Sequence, residues 1–346
     1  MTTLDDIFGQ DAAVATLLRA YRADRLPHGL IFAGPAGVGK ATAARALGTL
    51  FLCEKPAEAR PCGRCHSCTL MGVANPDGSS NHPDYHVVYR QLIRLEKDAS
   101  KARDLPIGVV RDYVVEPAGR KAGMGRGKVF VIEEADLMNP PAQNALLKTL
   151  EEPPGPTLLI LITDQPDCLL QTIKSRSQTV RFGHLDARIV ARELEKRKID
   201  KAIATDAAAL TEGSLGVALR WIEDGVVASA RDLIQQLDGL LNGRAPGDLP
   251  DWFKKAAEAY AVKQLERDKL ASKDQATKEG LSIFLRIAAS RFRQRLAETT
   301  DEAELDRACD AIDAIVRAEQ YLDANVNVAL TLQQLSAHLG RQFVRA

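Results

Sequence analysis

Gly34-Pro-Ala-Gly-Val-Gly39-Lys40 sets glycines and a lysine at the spacing of a loop that wraps a phosphate chain. Gly34, Gly37 and Gly39 let backbone amides turn toward phosphate oxygens, the amino end of the next helix adds its positive dipole, and Lys40 reaches the terminal phosphates. A hydroxyl normally follows that lysine, because it ligates magnesium. Here the residue is Ala41. Thr42 stands about 100° further round the helix and cannot replace the missing ligand without moving the helix. Glu133 and Glu134 are the acids expected to complete the site. Glu133 occupies the place of a magnesium ligand that is usually Asp, and its extra methylene ill suits an ion that wants near-ideal octahedral geometry. Glu134 has the type and place of a water-activating base, here vestigial. Taken alone, the two acids can equally be solvated side chains at the end of a core strand. Binding of ATP and magnesium stays open on these residues, and efficient hydrolysis is not expected.

Cys53 and Cys62-Gly-Arg-Cys65-His-Ser-Cys68 supply four thiolates at short spacings. Four protein ligands suit a tetrahedral structural zinc and leave no open position for catalysis. His66 is either a substitute ligand or an ordinary loop residue. Arg176, in Gln171-Thr-Ile-Lys-Ser175-Arg176-Ser177, is a permanently charged fork of donors that can clamp a transferring phosphoryl group on a neighbouring subunit. Most lone surface arginines do nothing of the kind. Thr163 either senses a terminal phosphate or caps the next turn.

These groups need a scaffold that delivers them from distant points of the chain. Leu30 to Ala33, His86 to Tyr89, Val129 to Ile132, Thr157 to Thr163 and Gln178 to Phe182 read as strands. The apolar runs among them suit strands of a parallel sheet buried on both faces. Carboxylates at the carboxyl end of such a strand sit beside the crevice where open α/β sheets bind ligands. Helices are predicted over Gln10 to Arg22, over Ala41 to Leu52 and over Ile107 to Val115. A further helix is capped by Asn139, has Pro140 and Pro141 in its first turn, carries Leu146, Leu147 and Leu150 as its apolar stripe, and is stopped by Pro153 and Pro154. The charged stretch Gln91 to Asp104 reads as a surface loop. The basic, glycine-rich Gly119 to Lys128 either faces DNA or a phosphate or is a solvated loop.

A length of 346 residues calls for two or three domains. Lys plus Arg and Asp plus Glu are both 46, a balance that argues against a chain coating nucleic acid by itself, since such binding rests on clustered cations. No stretch approaches the length of a membrane span, and the first residues lack a basic start and apolar middle, so a cytoplasmic protein without membrane contact is expected. Clustered cysteines in that compartment point to metal rather than disulfide.

Together with Asn144-Ala-Leu-Leu-Lys-Thr-Leu-Glu-Glu-Pro-Pro154 and Gly213-Ser-Leu-Gly-Val-Ala-Leu219, these motifs resemble the clamp-loader branch of the AAA+ ATPases, the gamma/tau and delta-prime subunits of bacterial DNA polymerase III. The resemblance implies an α/β AAA+ core with an inserted zinc module over 1–183, an all-α lid over 184–225 and an all-α collar over 226–346. Motor subunits of that branch carry Ser or Thr after the loop lysine and an arginine in the lid, where this chain has Ala41 and Gly216. The departures are similar to the delta-prime type, a stator in a five-subunit ring with gamma/tau and delta that helps load the sliding clamp on primer-template DNA. In that type the Ser-Arg-Cys motif offers its arginine to the neighbour's ATP. Arg176 keeps this place, with Ser177 where Cys is usual. The alternatives are an active gamma-like ATPase and a zinc-containing helicase or repair adaptor. Three short helices, Ala187 to Lys198, Ala202 to Leu210 and Leu215 to Ile222, are expected in the lid. In the collar, Ile283, Leu285, Ile287 and Phe292 mark one amphipathic helix and Ile312, Ile315 and Tyr321 another. Tyr321 to Val328 followed by Ala329 to Leu335 resembles the last helix pair.

Overall fold

The strands are short because each needs only to cross one buried layer. Gly29–Ala33 (β1), Tyr85–Val88 (β2), Lys128–Ile132 (β3), Thr157–Thr163 (β4) and Gln178–Arg181 (β5) form a parallel sheet in the order β2-β3-β4-β1-β5. The computed structural model describes residues 2–73, 75, 78–93, 104–245, 247–267, 272–324 and 326–343. Most of the expected charged loop between Gln91 and Asp104 lies outside the described residues. β1, β3 and β4 are buried along their whole length. Alternate residues feed two separate cores. Leu30, Phe32, Val129, Val131, Leu158 and Ile160 pack on one face, and Ile31, Phe130, Ile132, Leu159 and Leu161 on the other. Each such branched or aromatic side chain contributes about 1.5–3 kcal/mol on burial, so covering both faces explains the continuous apolar runs.

On the first face lie Asp11–Arg22 (α1), whose Leu17 is buried, and Lys40–Leu52 (α2), rich in small residues that let it sit close to the sheet. His66–Gly72 (α3) is capped by Cys65 and contains Cys68, which places His66 at a helix start rather than in a loop. On the opposite face, Ile107–Val110 and Glu116–Gly119 are α-helical and Arg111–Val115 is a π turn, so 107–119 is one helical segment (α4) that runs past the expected end at Val115. Pro140–Glu151 (α5) starts as anticipated. Asn139 accepts from the Ala142 amide at 3.0 Å, and Leu146 and Leu150 are buried while Leu147 is only partly so. Gln171–Lys174 (α6) is a single turn before β5.

By its contacts the chain divides into Met1–Ile199 with Thr211–Val217, and Asp200–Leu210 with Ala218–Ala346. Ala187–Lys196 (α7) falls in the first unit. The second contains Lys201–Leu210 (α8), most of Leu215–Glu223 (α9), Val226–Leu241 (α10), Leu249–Arg267 (α11), Lys273–Glu298 (α12), Glu302–Asp323 (α13) and Val328–Phe343 (α14). Its core joins Leu233, Phe253, Phe284, Phe292, Ile315 and Leu335. Gly280 allows the tight crossing of α11 and α12, since a Cβ there would stand 3.0 Å from the Ala257 Cα. The expected stripe of α13 is corrected at one point: Ile315 is buried, but Tyr321 is an exposed side chain. No helix among the described residues is long and apolar enough to cross a membrane.

Candidate functional site

Gly34 to Lys40 leaves β1 and enters α2, the strand-loop-helix context that its spacing requires. Gly37 and Gly39 have φ of 72° and 102°, conformations that a side chain would strain. Lys40 is buried and turns back on its own loop, donating to the carbonyls of Gly34 and, at 2.6 Å, Pro35. Burial pushes its pKa below the usual lysine range, while Asp164 and Asp136 nearby pull it the other way. The segment from Gly213 to Val217 lies on the loop. Ser214 Oγ donates to the Ala36 carbonyl at 2.8 Å and the Gly216 amide to the Gly37 carbonyl at 2.9 Å. A Cβ at Gly216 would come within 2.9 Å of the Gly37 Cα, so the two glycine backbones touch as only glycines can. Gln10 closes another side, donating to the carbonyls of Gly183 at 2.7 Å and Val38 at 3.3 Å. Ala41 and Thr42 are exposed on the first turn of α2.

Each of the two acids also meets another part of the chain. Glu133 follows β3, two strands away from β1, and its Oε1 lies beside Gly78 on the β2 side. Glu134 adopts a left-handed backbone (φ 51°) and pairs with Arg90 at 3.0 Å. Thr163, at the end of β4, donates to Asp136 Oδ1 at 2.6 Å and accepts from the Gln165 amide at 2.9 Å. The Thr163 hydroxyl thus takes part in the turn that follows β4.

The four cysteines do converge. Their sulfurs all lie within 4.8 Å of one another, with Cys53 and Cys65 4.0 Å apart. A tetrahedral zinc with bonds of about 2.3 Å holds its sulfurs roughly 3.8 Å apart, so the set fits the ion with little adjustment. Backbone amides of Cys62, Cys65 and Cys68 point at the sulfurs of Cys53, Cys62 and Cys65 at 3.2, 3.3 and 3.4 Å. Such amides favour the thiolate. The Arg64 and Cys65 amides hold the Cys62 pKa down to about 6, whereas burial pushes Cys53 and Cys68 up. A divalent cation would reverse the effect of burial, because a coordinated thiol is deprotonated outright.

Arg176 follows α6 at the surface. Its Nε and Nη2 donate to Glu151 Oε1 at 2.7 and 2.5 Å, and its Nη1 donates to the Thr172 carbonyl at 3.1 Å. Beside it, Ser177 Oγ is buried and finds no hydrogen-bond partner among the described residues.

Residues 9–186 match the family described as DNA polymerase III, delta subunit. The chain belongs to the DNA polymerase III delta subunit family. DNA polymerase III subunit delta' of Pseudomonas aeruginosa is 41% identical over 149 residues, which cover 43% of this chain and 41% of that protein. The subunit delta' of Bacillus subtilis is 28% identical over 342 residues, covering 95% of this chain and 94% of that one. The chain thus spans less than half of the first relative's length and nearly all of the second's. A gamma subunit-related protein of known structure from Thermotoga maritima shares 17% identity at a TM-score of 0.44, covering 94% of this chain and 99% of that one, too loose a likeness to carry weight.

For this delta-family chain, several residues that position the site escaped the motif search. Gln10 binds the loop through backbone carbonyls, a role with no sequence signature. Asp136 is visible as a third acid in Glu133-Glu-Ala-Asp136, but only the fold brings it to Thr163. Arg45 on α2 donates to the carbonyls of Met71, Val73, Gly78 and Ser79, tying the chain that follows the cysteines to the sheet. The expected basic loop is held too. Asp84, in His82-Pro83-Asp84, accepts from the amides of Gly123 and Met124 at 2.6 and 2.8 Å.

Proposed function

We propose that this chain is a delta-prime-like, non-motor subunit of a clamp loader, which assembles with gamma/tau and delta subunits and helps load a sliding clamp on primed DNA. Its divisions are an AAA+ core with zinc module over 1–183, a lid over 184–225 and a collar over 226–346. Family membership supports the complex, and relatives named DNA polymerase III subunit tau support partners of that kind, the Escherichia coli one being 31% identical over 233 residues. The single observation that carries the non-motor reading is the state of the phosphate loop. Lys40 and the loop carbonyls are bonded within the chain, and Gly216 and Ser214 lie against them. ATP at Gly34, Gly37, Gly39 and Lys40 would first have to draw Lys40 away from the Gly34 and Pro35 carbonyls. Magnesium would find Ala41 in place of its hydroxyl ligand and Glu133 turned toward Gly78. Cys53, Cys62, Cys65 and Cys68 would hold a structural zinc.

The chain's chemical contribution is then made outside itself. Arg176 is permanently charged and lies at the surface, where it can face a nucleotide held by the adjacent subunit and stabilise charge on the transferring phosphoryl oxygens. Reconstituting the loader with Arg176→Ala tests this. DNA-stimulated hydrolysis at the adjacent site is expected to fall about a thousandfold, the usual scale for loss of such an arginine. Unchanged turnover would remove the role. Brisk ATP hydrolysis by the isolated chain, lost in Lys40→Ala, would favour the gamma-like motor instead.

A further inference from the structure

The long side chain of Arg176 is held in place by a carboxylate that the sequence motifs do not assign to it. Glu151 is the last residue of α5, and the end of that helix is fixed to the start of β1. A His28 ring nitrogen meets the Leu150 carbonyl, and the Glu152 amide closes on the Lys148 carbonyl at 2.9 Å. Gly29 is the point of closest approach. A Cβ there would lie 2.8 Å from Leu150 Cδ2, 2.9 Å from Ser177 Oγ and 3.1 Å from the Arg176 carbonyl oxygen. Helix end, strand start and the Ser175-Arg176-Ser177 turn are therefore locked in one register. Within it the guanidinium meets Glu151 through Nε and Nη2, while Nη1 reaches the Thr172 carbonyl and, at 3.3 Å, Ser175 Oγ. The Arg176 side chain keeps 35% of its surface exposed and that of Glu151 48%. The cation is thus oriented without being sealed in.

We infer that Glu151 is the positioning residue for Arg176, presetting the guanidinium for an anionic phosphoryl group brought by the adjacent subunit. This rests on the role proposed above for Arg176. An arginine free to rotate must be ordered during each catalytic cycle, and that ordering lowers the rate. Two donors on one carboxylate oxygen and a third on the Thr172 carbonyl remove most of that freedom beforehand. A contact made only as phosphoryl charge develops changes kcat rather than KM.

The test uses the reconstituted loader with Glu151→Ala, Glu151→Gln, Arg176→Ala and the Glu151→Ala/Arg176→Ala pair. Steady-state ATP hydrolysis is measured with primed DNA, and zinc content and thermal unfolding report on folding. Glu151→Ala is expected to lower kcat up to about fivefold, the scale of a half-exposed ion pair, with KM for ATP unchanged. Glu151→Gln keeps an accepting oxygen and is expected to fall between Ala and the parent. In the Arg176→Ala background, Glu151→Ala is expected to add nothing. A rise in turnover with Glu151→Ala would mean that the contact restrains the arginine and would overturn the inference. So would an equal fractional loss in both backgrounds. If Arg176→Ala alone leaves turnover unchanged, the arginine's own role falls, a result distinguishable from failure of Glu151 alone.

Discussion

His82 and His86 are the single residues through which this fold is expected to respond to acid. Both flank the buried Asp84, and His82 Nδ1 accepts from the Asp84 amide at 3.1 Å, so its neutral form is the one used. His82 Nε2 is buried and has no partner among the described residues. His86 stacks on Phe130 with ring centroids 4.8 Å apart. Burial lowers the pKa of both below the ordinary 6.5, against the pull of Asp84. A base with a depressed folded-state pKa binds more protons when unfolded. Its stabilising contribution is therefore complete above 6.5 and is lost as pH falls through that value toward the lower folded pKa. The melting temperature is expected to drop between about pH 7 and 5, with a shallower slope in His82→Gln. An unchanged slope in that variant would assign the acid sensitivity elsewhere.

The cysteine excursion is the element whose stability is expected to depend on a metal ion. Between Cys53 and Cys68, α2 ends and α3 begins, and the chain between them carries a turn at Glu58 and Ala59 with positive φ values of 52° and 60°. Such a segment has little apolar surface of its own to offset its chain entropy. One zinc per chain is expected by elemental analysis. Strong chelation or Cys62→Ser should release the ion and open the excursion, seen as faster amide exchange between residues 54 and 70, with the strands of the sheet still protected. Retention of slow exchange after metal loss would mean that Arg45 and the Ser67 contacts hold the excursion unaided. Ser67 Oγ donates to the Leu52 carbonyl at 2.8 Å and its amide to Glu54 at 3.1 Å.

At the scale of the whole molecule, the proposed non-motor role is expected to survive restoration of the missing ligand types. Ala41→Thr together with Glu133→Asp restores the residue types that a magnesium site needs. Neither change moves Gly216 and Ser214 from the loop carbonyls or frees Lys40 from Gly34 and Pro35. The doubly substituted chain is therefore expected to hydrolyse ATP by itself at a rate within about twofold of the parent's. Substantial hydrolysis in that variant would place the block in the ligands rather than in the closed loop. The formal charge of +0 belongs at this scale too, since it offers no excess of cations with which this chain alone would coat nucleic acid.

The amino-acid sequence by itself determined whatever depends on neighbours a few residues apart. The glycines of the loop, the Asn139 cap and the continuous burial of β3 and β4 are local consequences of backbone geometry and of unbroken apolar runs, and they were legible before any folding. The cysteine set was legible for the same reason, because its spacing encodes the ligand geometry. Strand order was not, since β1, β3 and β4 are all continuously apolar and any of them could fill a central position. Which acid reaches which partner was also beyond the sequence. Asp136 meets Thr163, Glu134 meets Arg90 and Glu151 meets Arg176 across separations that only packing closes. The closure of the loop belongs to the same class. Gly37 and Gly216 lie far apart along the chain, and their contact depends on two bare backbones meeting in space, which leaves no periodicity to read.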